Sequence, residues 1–208
     1  MNWLENTCNF KVEITSYCNA ACPGCIRNVT GGKTVDSLDL EHMSIDVWRR
    51  FVEQDTKDIR IREMLFDGNV GDFCMNPDAL DFVKLFIAAH PKSEVHINTN
   101  GGARSIQFWK DLGSMLSNIN HRVNFAIDGL EDTHHIHRRR TTYEMVTRNM
   151  QAFISTGGRA NWVYTAFGHN VHQIAEARDR AEKMQCSFFE VRQSCIDSED
   201  LYTKTDTE

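Results

Sequence analysis

The chain has 208 residues, 41% hydrophobic and 25% charged, with 29 Asp+Glu against 23 Lys+Arg. That is enough for one domain with a sizeable core; three Pro and 12 Gly exclude a collagen-like or Pro-rich disordered chain. A net charge of −6 disfavours a broad nucleic-acid surface, though not a local basic patch, and an odd count of 7 Cys excludes complete disulfide pairing.

The first residues, MNWLENTCNFKVEI, are acidic and polar where a signal peptide needs a basic then an apolar run. No apolar stretch approaches the ~18 residues that cross a bilayer. The expectation is a cytoplasmic protein without membrane contact, in which clustered thiols favour metal or catalysis over disulfides. Residues 10–15 (FKVEIT) alternate apolar and polar, as a strand does. Residues 44–54 form an amphipathic helix with Ser44 as N-cap. A short strand over 63–66 runs into the Gly-rich stretch DGNVGD. Residues 78–89 read as a helix stopped before Pro91. Residues 94–99 are a strand ending in NGG, and 105–116 a helix. Residues 123–127 are a strand ending in DG, and 142–156 a helix closed by Gly157 and Gly158. A strand over 160–167, a helix over 171–184 and a strand over 187–192 complete the pattern.

Six strands alternating with five helices predict parallel strands joined by right-handed crossovers. The expected fold is α/β, a (β/α)6 partial barrel in a single domain over residues 1–195, followed by a polar tail over 196–208. The cysteine run, DGNVGD, NTNGG and DGLEDTHHIHRRR all follow strands, and the C-terminal edge of such a sheet is where sites are built.

Cys18, Cys22 and Cys25 have C-x3-C-x2-C spacing. Steps of four and three would align them on a helix, but Pro23 and Gly24 make a loop the better expectation. Three thiolates close together need a positive partner: zinc with a fourth ligand, or an iron–sulfur cluster that leaves one iron without a protein ligand. Zinc motifs more often present paired C-x2-C units or a Cys pair with a His pair.

This spacing directly after an early strand resembles the radical S-adenosylmethionine (SAM) enzymes, and the resemblance runs from about Val12 to Arg192. It lies closest to the peptide- and protein-modifying branch, without that branch's Cys-rich C-terminal domain. The resemblance implies a [4Fe–4S] cluster on Cys18, Cys22 and Cys25, with its open iron chelated by SAM. Reductive cleavage of SAM then gives a 5′-deoxyadenosyl radical that abstracts hydrogen from a substrate. The cofactor carries this chemistry, and the protein supplies position and electrostatics.

The same resemblance assigns SAM contacts. Gly71 and Asp72 match the segment that holds the SAM amino group, with Gly68 and Asn69 as loop formers. Thr99 and Asn100 match T-N-G. Asp128 matches the Asp of S-x-D-G, with His134 six residues on and Arg138 ten residues on, the latter as partner of the SAM carboxylate. The sequence departs from the family at three points. Gly24 stands where an aromatic often precedes the third cysteine, Phe73 where Pro is common, and Ala126 where Ser contacts SAM.

His134, His135 and His137 are either a second metal site or loop residues beside the basic cluster 138–140; the second reading is preferred. Cys8, Cys74, Cys186 and Cys195 are expected to be small buried hydrophobes, not ligands of an auxiliary cluster. Implied partners are a reductant such as a flavodoxin or ferredoxin and a peptide or protein substrate; nucleic acid is disfavoured. The alternatives are a small-metabolite or nucleotide substrate, a non-catalytic iron–sulfur or zinc protein on the same scaffold, and a fragment of a longer chain.

Overall fold

The computed structural model describes residues 7–29, 32–54, 60–118 and 120–194. Cys195 and the tail over 196–208 lie outside them. Six parallel strands form one sheet in sequence order: β1 (Thr7–Val12), β2 (Arg60–Phe66), β3 (Glu94–Thr99), β4 (Arg122–Ala126), β5 (Ala160–Ala166) and β6 (Phe188–Gln193). β1 and β6 are its edges, so the expected open (β/α)6 arrangement is what the chain adopts. The crossovers carry α1 (Ile45–Val52), α2 (Ala79–Ala89), α3 (Ile106–Met115), α5 (Tyr143–Ile154) and α6 (Ile174–Lys183). A one-turn helix, α4 (His134–His137), precedes α5, and a 3-10 turn over Phe73–Met75 follows β2.

Local chemistry starts the helices where the sequence places them. The Ser44, Ser105 and Thr142 side chains accept from the backbone N–H groups of Val47, Phe108 and Met145, satisfying donors left free at helix N-termini. Between the helices and the sheet lies an aromatic core. Trp48 of α1 stacks on Phe82 of α2 at 5.4 Å, and its indole N–H donates to the Phe82 carbonyl at 2.9 Å. Trp109, Phe125 and Phe153 join α3, β4 and α5.

Two strand boundaries differ from the sequence reading. β1 runs three residues earlier than expected, because its pairing with β2 ends at Val12–Phe66 and the chain then turns into the cysteine loop. Thr15, expected in the strand, instead bridges antiparallel to His42. β2 begins three residues earlier than expected, since the charged stretch from Arg60 pairs with β1 from Thr7 onward.

Candidate active site

Residues 13–25 leave β1 and curl over the C-terminal edge of the sheet. Cys18, Cys22 and Cys25 line one cavity of about 410 Å3, together with Gly68, Gly71, Asp72, Thr99, Asn100 and Arg138. The cysteine segment is a loop, as Pro23 and Gly24 predict. Gly24 has φ 74°, a conformation that favours glycine, and the Cys25 N–H donates to the Cys22 carbonyl at 3.3 Å.

Hydrogen bonds from several elements fix this loop. Asn19 and Asn100 pair through their amides, Asn100 Nδ2 donating to Asn19 Oδ1 at 2.9 Å and Asn19 Nδ2 to Asn100 Oδ1 at 3.3 Å. Asn100 Nδ2 also lies 3.6 Å from Cys18 Sγ. The Ala21 N–H donates to the Arg139 carbonyl at 3.1 Å. Buried Arg27 donates to the Ser16 and Val70 carbonyls at 2.9 and 3.0 Å, clamping the loops after β1 and β2 together.

Gly71 belongs to that junction. A Cβ there would sit 1.9 Å from the Thr15 carbonyl oxygen, so only glycine lets the two loops meet. Next to it, the Asp72 N–H donates to the Tyr17 carbonyl at 2.8 Å. The Asp72 carboxylate is buried and accepts from Cys74 N at 3.0 Å, Thr99 Oγ1 at 3.0 Å and Asn100 N at 2.7 Å. Burial pushes its pKa up, and those hydrogen bonds pull against the shift. Asp72 therefore lines the cavity as a brace between the ends of β2 and β3.

Two residues expected at the cofactor do not line the cavity. Asn69 faces away, its backbone N–H and Nδ2 both donating to Glu13 Oε1 at 2.8 and 2.9 Å. Asp128 is fully buried behind the wall, where Arg138 Nε donates to its Oδ2 at 2.6 Å and Thr165 N to its Oδ1 at 2.7 Å. Burial raises the Asp128 pKa, but Arg138, His137 and these hydrogen bonds outweigh it and hold the carboxyl below its ordinary range. Arg138 does reach the cavity, with Nη1 3.9 Å from Cys22 Sγ. Asp128 thus acts by aiming the guanidinium.

The three histidines do not come together as a metal site. His134 is buried and donates through Nε2 to Thr141 Oγ1 at 3.0 Å, since the Thr141 hydroxyl proton is used on the Arg138 carbonyl. His135 is exposed, and His137 packs on Phe167 with ring centroids 4.4 Å apart. Of the other cysteines, Cys74 is buried, while Cys8 and Cys186 pack partly buried against the core.

Three thiols on the wall of one open cavity suit an iron–sulfur cluster, whose irons take thiolate ligands. Burial pushes the Cys18 thiol up to about 12 and raises Cys22 as well, so both stay protonated until a cation claims them.

A polar row that no sequence motif marks runs across the strands. Asn98 Nδ2 donates to Asp67 Oδ1 at 2.8 Å, Asn124 Nδ2 to Asn98 Oδ1 at 2.8 Å and Asn161 Nδ2 to Asn124 Oδ1 at 2.9 Å. Asp67, Asn98 and Asn124 line the cavity beneath the cysteine loop. Asn within strands runs against β-propensity, which is the signal that identifies such positions.

The sequence profile of the radical SAM superfamily matches residues 12–182. No curated protein sequence matches the chain. Among solved structures, anSMEcpe with bound AdoMet superposes with TM-score 0.69 at 16% identity, over 92% of this chain and 50% of that one. SuiB of Streptococcus suis bound to S-adenosylmethionine gives TM-score 0.69 at 13% identity, over 95% and 43%. Methylornithine synthase (PylB) gives 0.63 at 8%, over 96% and 58%. The chain thus spans about half the length of these proteins. With the matched profile, the C-x3-C-x2-C loop and the shared architecture, the chain belongs to the radical SAM superfamily of enzymes, whose cofactors are a [4Fe–4S] cluster and S-adenosylmethionine.

Proposed function

We propose that the chain is a radical SAM enzyme in which Cys18, Cys22 and Cys25 hold the cluster and a peptide or protein side chain is the substrate. The observation that carries this reading is the convergence of three unpaired thiols and a carboxylate-anchored arginine on one cavity. When bound, the cluster supplies the electron that cleaves SAM and so starts hydrogen abstraction. The chain's residues do the positioning. The Arg138 fork, fixed by Asp128, offers its remaining N–H groups to a carboxylate. Asn100 and Asp72 keep the cysteine loop registered on the ends of β2 and β3. Thr99 acts through Asp72, Gly68 shapes the loop, and Gly71 allows the close approach.

Support for a peptide comes from the superposition with SuiB bound to precursor peptide SuiA, TM-score 0.67 at 14% identity. A small polar metabolite is the second reading, favoured by the amide row beneath the cavity. A flavodoxin- or ferredoxin-type protein is the proposed electron source, in the cytoplasm. Anaerobic reconstitution with iron and sulfide tests the cofactor assignment: wild type is expected to show cluster absorbance and to form 5′-deoxyadenosine with dithionite and SAM. Alanine at any of the three cysteines should abolish both. A cluster retained by those variants would overturn the ligand assignment. Release of 5′-deoxyadenosine above background by peptides, or only by small polar metabolites, decides the substrate class.

A further inference from the structure

We propose that Glu63, Glu94 and His96 form a second metal site, for a divalent transition-metal ion, at the end of the sheet opposite the cysteine loop. Glu63 of β2 and Glu94 of β3 are direct partners in register, which sets two like charges side by side. Such a pair is destabilising unless something positive lies between. His96 is two residues further along β3, on the same face as Glu94. Its Nδ1 lies 3.2 Å from Glu63 Oε2 and its Nε2 3.3 Å from Glu94 Oε2. One ligand atom from each residue falls within 4.8 Å of the other two, the spacing of donors around one ion.

An independent observation points the same way. His96 is only 2% exposed, yet its Nε2 makes no hydrogen bond. Buried nitrogens are almost always partnered, and an orphan in native structures calls for an explanation such as an ion. Arg122 stands opposite His96 on β4.

One imidazole nitrogen and two carboxylate oxygens suit Mn2+, Fe2+ or Zn2+. Three protein ligands leave positions for water or a small anion. Glu94 also borders a surface depression with Arg60, Arg62 and Lys92, so an ion has a route from solvent that avoids the cysteines, and those cations favour an anionic co-ligand. The site stands apart from the cluster and does not rest on the reading of the cysteines.

The test uses the full chain with its cluster reconstituted and oxidised, titrated anaerobically with Mn2+. This ion is hard and competes poorly for thiolates. Loss of the free-ion EPR signal counts what is bound. One Mn2+ per chain is expected, with spin-echo modulation from a single imidazole nitrogen. Glu63→Gln and Glu94→Gln should each weaken binding at least ~10-fold, with circular dichroism and cluster absorbance unchanged. His96→Asn should remove the nitrogen modulation. If a variant fails to fold, the modulation in wild type still decides. No uptake at millimolar Mn2+, uptake indifferent to the substitutions, or His96 found as an imidazolium bridging both carboxylates without metal, overturns the proposal.

Discussion

Arg138 owes its place at the cavity wall to a carboxylate with no exposed surface. Asp128 spends one oxygen on the guanidinium and the other on the Thr165 amide. Asp128→Asn keeps the shape and the amide contact but removes the charge, leaving a largely enclosed cation unpaired. Breaking such a pair costs about 3 kcal/mol. Urea unfolding should register that loss, and calorimetry should show weaker SAM binding by the reconstituted protein; wild-type affinity in the variant would show that Arg138 does not need its anchor. Asn100 makes a second residue-scale case. It pairs with Asn19 and aims Nδ2 at Cys18 Sγ, 3.6 Å away. Hydrogen bonds to cluster sulfurs stabilise the more negative reduced state and raise the potential. Asn100→Ala should therefore lower the cluster's midpoint potential in a redox titration followed by EPR. An unchanged potential would mean that the amide only braces the loop.

Among the elements, the loops after strands carry the site, and they meet through backbone more than through side chains. Gly71→Ala would drive a methyl into the Thr15 carbonyl, which belongs to the cysteine loop and cannot rotate away. Overpacking of this kind costs about 1–3 kcal/mol, and here relief requires parting the loops after β1 and β2. The expected result is a lower melting temperature together with poorer cluster retention after reconstitution; a lower melting temperature alone would leave the loop contact without a role in holding the cysteines. Helices were readable because their caps and apolar periods are local: Ser44, Ser105 and Thr142 sit where the helices begin. The start of β2 was not, because its first residues are charged and its pairing with β1 is a long-range fact. α4 escaped for a different reason. Four residues of His-rich sequence carry no periodicity, and what fixes them is the packing of His137 on Phe167 and of His134 against Thr141. The resemblance places both Asp128 and Arg138 at the cofactor, but which of them meets the cavity depends on burial, which motif spacing does not encode.

The whole molecule gathers its histidines in enclosed places, and that sets how it responds to acid. Six of its nine, His90, His96, His121, His134, His137 and His169, have pKa values pulled below the ordinary value chiefly by burial. For His134 the value falls to about 4, and for His137 to about 3. In the unfolded chain the same groups titrate near ~6.5. As pH drops from neutrality, the unfolded state takes up protons that the folded state refuses, so the folded state loses stability. Asp128 has linkage of the same sign in a lower pH window. Its depressed pKa contributes stability throughout this range and gives it up only as the carboxylate itself is protonated. The decline should therefore begin near pH ~6.5, well above carboxylate titration, and amount to a few kcal/mol by pH ~4.5. Urea midpoints measured from pH 7.5 downward should show it, and His134→Gln should flatten the slope by about one proton. A midpoint that stays level between pH 7 and 5 would mean that these imidazoles meet water in the folded protein, and that the helix carrying His134 and His137 opens without cost.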